Sequence, residues 1–177
     1  MVGGASSVLS ARRAAALAVV VAVLVAWDAG AGALPDLGHW PDVLVIALLV
    51  MPVTFAIPWL ALPAAASRWI PHVAAALVAL SFLLYLAGFG ALFNVSKLLA
   101  LTAIGFWFMS VFEALSWVVL IALIIPWVDV ISVWRGPTDY IVSEQPSLFD
   151  RVSIAFRLPG EEGSANIGPP VILFFSL

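Results

Sequence analysis

The 177-residue chain has no cysteine, which removes disulfide frameworks, thiolate nucleophiles and cysteine-ligated metals together. Its two histidines, His39 and His72, lie far apart and offer no ligand spacing for zinc, so neither a metal nor a cofactor is expected. Charge is scarce as well. Charged residues make up 10% and hydrophobic residues 64% of the chain, against about 25% and about 45–50% in an ordinary soluble domain. A net charge of -3, with scattered basic residues, excludes a nucleic-acid partner. What remains is an integral membrane protein whose first partner is the lipid bilayer, with the plasma membrane as the expected location.

Only seven formal charges stand between Arg13 and Arg135: Asp28, Asp36, Asp42, Arg68, Lys97, Glu113 and Asp129. A helix needs about 20 apolar residues to cross the hydrocarbon core. Four segments qualify: Ala14 to Trp27, extendable through Ala33; Val43 to Leu62; Val73 to Phe93; and Leu98 to Trp134. The last is about 37 residues, roughly 55 Å of helix, too long for one span and barely enough for two. Glu113 is the natural place to divide it, and Pro126 should kink the helix just before Asp129.

The charge rule and the length rule disagree here. With the fourth segment as one crossing, Arg12, Arg13, Arg68, Arg135, Arg151 and Arg157 fall on one side and Lys97 alone on the other, which favours four crossings. Length favours five. Trp27, Trp40, Trp59, Trp69 and Trp134 lie near predicted span ends and read as headgroup-level anchors. Gly88 and Gly90 read as small surfaces for close helix packing. Arg12 and Arg13 before an apolar region that ends in Ala31, Gly32 and Ala33 fit a retained span or a cleaved signal peptide.

From Arg135 to Pro170 the chain turns polar, with eight charges and the breakers Gly136-Pro137, Pro146, Pro159-Gly160 and Gly163. Within this loop Val152, Ile154, Phe156 and Leu158 share one parity and Ser153, Ala155 and Arg157 the other, which predicts one short strand. The apolar Val171 to Leu177 is too short to cross a bilayer. It either tucks against the bundle or opens a further helix of a longer protein, and the second is favoured. The expected fold is therefore all-α, a polytopic transmembrane helix bundle with a short strand in a polar loop. Its parts are a helical region over 1–134 with four or five spans, a loop over 135–170, and a truncated helix from 171.

Asp129 is the residue that calls for chemistry. An acid at the centre of a membrane helix costs roughly 2.5–3.5 kcal/mol on insertion scales and is a functional candidate for that reason. Against this, Asp129 lies six residues from Arg135, within reach of the interface or of backbone freed near Pro126. Glu113 reads as a hairpin or helix-contact residue, and His39 and His72 as boundary residues.

The string Asp129-Val130-Ile131-Ser132-Val133-Trp134-Arg135 resembles the first catalytic motif of the presenilin and signal peptide peptidase family of intramembrane aspartyl proteases. In that motif a Tyr-Asp pair precedes a Ser-Val-aromatic-basic stretch; here Trp127 and Val128 stand before Asp129, without the Tyr. The family's second motif, Gly-x-Gly-Asp, opens the next helix after a polar loop. At that place stands Gly168-Pro169-Pro170-Val171, which keeps the first Gly but neither the second Gly nor the Asp. The resemblance implies a catalytic role for Asp129, cleavage of transmembrane peptides, and pairing of a substrate strand with an edge near Arg151 to Leu158. Two carboxylates that share one proton divide the work, one as base on water and the other polarising the peptide carbonyl. With Val171 in place of the second Asp, this chain should not hydrolyse a peptide by that route. The alternative is a non-enzymatic small multi-pass protein, a helix-packing subunit or transporter component in which Asp129 pairs with a polar group on a partner and Glu113 is the best second ionisable residue.

Overall fold

The computed structural model describes residues 9–35, 38–111, 119–120, 123–124, 126–127, 130, 151–160 and 164–176. They form a bundle of α-helices with a two-stranded antiparallel sheet at one end. Helix α1 spans Ala11–Gly30, α2 His39–Val45, α3 Met51–Ala61, α4 Ile70–Leu86 and α5 Gly90–Val111. Strand β1 covers Ile154–Arg157, β2 Ser164–Ile167, and α6 Pro169–Phe175. Three helical stretches, Ala11–Ala33, Trp40–Ala64 and Gly90–Ser110, are long and apolar enough to cross a membrane.

Local chemistry sets the boundaries. The Ser10 hydroxyl accepts the Arg13 amide at 3.4 Å and caps α1. Between α2 and α3 the turn widens into a π-helical segment, Ile46–Val50, just before Pro52. Pro52 has no N–H to give and its ring crowds the preceding turn, and a widened turn relieves both. The hydroxyls of Thr54, Ser81 and Thr102 bond back to the carbonyls of Val50, Leu77 and Leu98 at 2.8, 2.8 and 2.9 Å, so each of these three donors is matched within its own helix.

The expected span Val73 to Phe93 is interrupted. Helix α4 stops at Leu86, and Gly88, with φ 76°, takes the left-handed position of a Schellman cap. The amide of Phe89 reaches the Leu84 carbonyl and that of Gly88 the Tyr85 carbonyl, both at 3.1 Å. Hydropathy runs straight through this turn, because its residues are glycine, alanine and phenylalanine. The packing role expected of Gly88 and Gly90 does not hold either: a Cβ on each would meet nothing within 4 Å.

Neighbouring helices alternate in direction. Ile70 and Ala74, early in α4, pack with Ala103 and Phe106, late in α5. The Arg13 guanidinium, early in α1, stands 5.9 Å from the ring of Trp59, late in α3. The C-terminal end of α1 and the N-terminal end of α5 thus meet, and the sheet sits on them. Lys97 donates to the Arg151 carbonyl at 3.4 Å, so Lys97, Arg151 and the hairpin share this end of the bundle. The partition that set Lys97 apart from Arg151 and Arg157 is therefore not the one seen. Glu113, Asp129, Trp134, Arg135 and the loop over 135–150 lie outside the described residues.

The main core is built from Leu24 of α1, Ile46 and Val50 of the π segment, Ile57 of α3, Val95 and Leu98 of α5, Ile154 and Phe156 of β1, Ile167 of β2 and Ile172 of α6, while α4 packs on α5 through the separate cluster of Ile70, Ala74, Ala103 and Phe106. The expected strand is present as β1, and the inward parity of Ile154 and Phe156 agrees with the alternation in the sequence. A second strand, β2, was not foreseen.

Candidate functional site

The polar groups of the molecule converge where β1 meets α1 and α5. Asn94 and Lys97 lie three residues apart, on one face of α5. Trp27 and Asp28 occupy the last turn of α1. Asn94 is buried, and its amide brackets Ala155: Oδ1 accepts the Ala155 N–H at 3.1 Å and Nδ2 donates to the Ala155 carbonyl. Lys97 donates to the Ser153 carbonyl, and the Trp27 indole N–H to the Arg157 carbonyl at 3.3 Å. The Asp28 carboxylate, 7% exposed, accepts from the Arg157 amide and from the Asn94 side chain, with the charges of Arg157 and Lys97 nearby.

These contacts fix the bonding pattern of the sheet. The register pairs Ile154 with Ile167, Ala155 with Asn166, Phe156 with Ala165 and Arg157 with Ser164. Opposed residues in an antiparallel ladder alternate between bonded and non-bonded pairs. Since both main-chain groups of Ala155 go to Asn94, Ile154 and Phe156 are the residues that bond β2. The outward groups of Ser153, Ala155 and Arg157 are met by Lys97, Asn94, Trp27 and Asp28, so four side chains take the place of a third strand. The hairpin tip is also tied down, with the Gly160 amide on the Ala31 carbonyl at 3.2 Å.

On β2 the parity leaves the main-chain groups of Ser164 and Asn166 pointing away from β1. Among the described residues none of these groups has a main-chain partner, and both residues are exposed. The one bond on this side is internal to the sheet, from the Ser153 hydroxyl to Asn166 Oδ1 at 3.0 Å. One edge of the hairpin is sealed, and on the other no main-chain partner stands among the described residues.

Strand β2 leads through Gly168 directly into α6, whose Val171 amide bonds the Gly168 carbonyl at 3.1 Å. Val171, the position matching the second catalytic Asp of the resembled family, is 42% exposed, while Ile172 beside it is fully buried. Helix α6 then enters between α3 and α5. Phe175 stacks on Phe55 with ring centroids 4.2 Å apart, and a Cβ on Gly105 would stand 2.6 Å from the Ser176 Cβ. Gly105, rather than Gly88 or Gly90, is the glycine that close packing requires.

Of the residues singled out in the sequence, Asp129 and Glu113 lie outside the described residues, so the structure gives neither a distance to position 171. His72 sits edge-on to Trp69 at 5.5 Å, a surface contact. Trp40, Trp59 and Trp69 are exposed as anchors should be, whereas Trp27 is half-buried and spends its N–H on β1.

Two buried carboxylates escaped the sequence reading. Asp28 is the hub just described. Asp42, in the first turn of α2, is 2% exposed, and neither of its oxygens has a hydrogen-bond partner among the described residues. The available signal was the same for both: an acid at the boundary of an apolar segment, beside Trp27 in one case and Pro41 in the other. The chain matches no family model, no curated protein and no solved structure.

Proposed function

We propose that this chain is a multi-pass, presenilin-like intramembrane aspartyl protease homologue that receives a transmembrane peptide as an added strand on β2 and, with Val171 at the second motif, lacks half of its catalytic pair. The observation that carries the reading is the hairpin. Its β2 edge has no main-chain partner among the described residues, and that edge runs through Gly168 into a helix whose first turn holds position 171. Strand addition supplies main-chain bonds to any extended segment and takes its selectivity from alternate side chains. On β2 the positions opposite Ala165 and Ile167 face the bundle and those opposite Ser164 and Asn166 face outward, so an apolar–polar alternation suits the guest. In the resembled chemistry Asp129 acts as base on water, and the group that would polarise the peptide carbonyl is missing at Val171.

The test is Val171→Asp in proteoliposomes holding a labelled transmembrane peptide. The reading expects no cleavage by the native sequence, cleavage by V171D, and none by V171D combined with Asp129→Asn. Cleavage that survives D129N, or a V171D variant that is inserted and folded but inert, would count against it.

Asp42 favours a second reading. A buried carboxylate with both oxygens unmet is costly, and a donor from a partner subunit would satisfy it, as in a helix-packing or transporter component. Co-purification of a second membrane protein that is lost in Asp42→Asn would favour this reading over the first.

A further inference from the structure

The turn between α4 and α5 holds a cavity of about 330 Å³ that takes no part in the hairpin contacts. Its floor is a pair of aromatic rings, Tyr85 and Phe93, with centroids 5.3 Å apart and planes tilted by 50°. Each ring carries a cation. The Arg151 guanidinium stands 5.5 Å from the Tyr85 centroid and the Lys97 ammonium 4.5 Å from that of Phe93. Arg151 is exposed and lines the cavity, while Lys97 is drawn toward the carbonyls of Arg151 and Ser153. Gly88 and Gly90 leave the rim bare, since a Cβ on either would meet nothing within 4 Å.

Below the cavity, along the outer face of α4, Phe82, Leu83 and Leu86 are 60%, 61% and 64% exposed, and Phe89 at the rim is 57% exposed. An apolar strip thus ends in a cationic, aromatic-floored hollow at the end of a helix pair. Two long chains joined to one anionic head have that distribution of polarity. A guanidinium presents parallel N–H donors that match two phosphate oxygens, and a stacked one is already held in place. We propose that this hollow binds the headgroup of an anionic phospholipid, the phosphate on Arg151 and the acyl chains along Phe82, Leu83 and Leu86. The proposal rests on membrane placement of the helices and not on the protease reading.

The experiment uses the full chain in vesicles and in detergent. Flotation with vesicles first establishes insertion. A chain that does not float would overturn both the membrane placement and the lipid site, whereas the following outcomes bear on the site alone. The floated protein is extracted from vesicles of equal phosphatidylglycerol and phosphatidylcholine content, and its retained lipid is counted by native mass spectrometry. The expected result is retention of phosphatidylglycerol over phosphatidylcholine, falling about fivefold in Arg151→Gln, the worth of one basic residue at an anionic surface. Tyr85→Leu, which removes the stacking face, should lower retention in the same direction, and Arg68→Gln, at the other end of α4, should leave it unchanged. Equal retention of the two lipids, or an R151Q value equal to the native one, would overturn the proposal. Displacement of the lipid by millimolar glycerol phosphate would overturn it too, by showing that the site takes a free phosphate.

Discussion

The two edges of the hairpin are built from the same kind of main chain and treated in opposite ways. The outward edge of β1 is met by Asn94, Lys97, Trp27 and Asp28, side chains from two helices far apart in sequence. The outward edge of β2, at Ser164 and Asn166, is met by none among the described residues. An unpaired strand edge invites another strand, and proteins usually blunt such edges. Here one edge is blunted with three polar residues and an indole, at the expense of burying Asp28, while its neighbour has no such partner among the described residues. The difference teaches that, among the described residues, the hairpin is mounted on the bundle by one side alone.

The largest expected effect breaks the sealed side. Asn94→Leu removes the bracket on Ala155 and a donor to Asp28, leaving several buried polar groups unmatched at about 1–3 kcal/mol each, so a total loss of about 3–5 kcal/mol is expected. Equilibrium unfolding in micelles measures it. Asn94→Gln, which keeps the amide on a longer stem, should recover part of the loss.

Next comes Gly105→Leu, which drives a side chain into Ser176 and Leu173 and should cost about 1–3 kcal/mol by overpacking. Because the native chain has no cysteine, a single cysteine at Val171 reports the consequence. Its labelling rate should change in G105L as α6 shifts, while a cysteine at Ala155 should label as before.

A proline pair sharpens the comparison most cleanly. Ala155→Pro deletes an N–H that Asn94 accepts and should destabilise the chain by about 1–3 kcal/mol. Ser164→Pro deletes an outward N–H at the first residue of an edge strand, where proline is tolerated, and should stay within about 0.5 kcal/mol. Thermal unfolding of the two variants side by side decides the matter, and equal losses would mean that the edges are not different. Gly88→Ala is the control between these two: it forces a Cβ into a left-handed conformation for about 1–2 kcal/mol but touches neither edge, so the contrast between the proline variants should survive in its background.

Much of this fold could be read in the chain. The apolar runs locate the helices, and the alternation over Val152 to Leu158 locates β1, because an inward Ile154 and Phe156 leave a clear period of two. Strand β2 could not be seen that way: Ser-Ala-Asn-Ile offers one large apolar residue in four, and its strand state comes from pairing with β1. The break at Gly88 was hidden because hydropathy averages over a turn made of apolar residues. The sealing contacts were hidden for another reason. Asp28 lies in the extension of the first apolar segment, Asn94 and Lys97 lie between the third and fourth, and only the meeting of the C-terminal end of α1 with the N-terminal end of α5 brings them together. Asp129 was legible as an anomaly of charge, and its catalytic role and the pairing with position 171 come only from the proposed resemblance.

Amide hydrogen exchange in a reconstituted sample, followed residue by residue by NMR, tests the central claim most directly. The Ala155 and Arg157 amides, held by Asn94 and Asp28, should exchange slowly, and those of Ser164 and Asn166 should exchange at rates close to an open chain until an extended transmembrane peptide is added, when both should slow. Protection of Ser164 and Asn166 equal to that of Ala155 in the protein alone would contradict the account, since it would mean that the second edge is sealed as well.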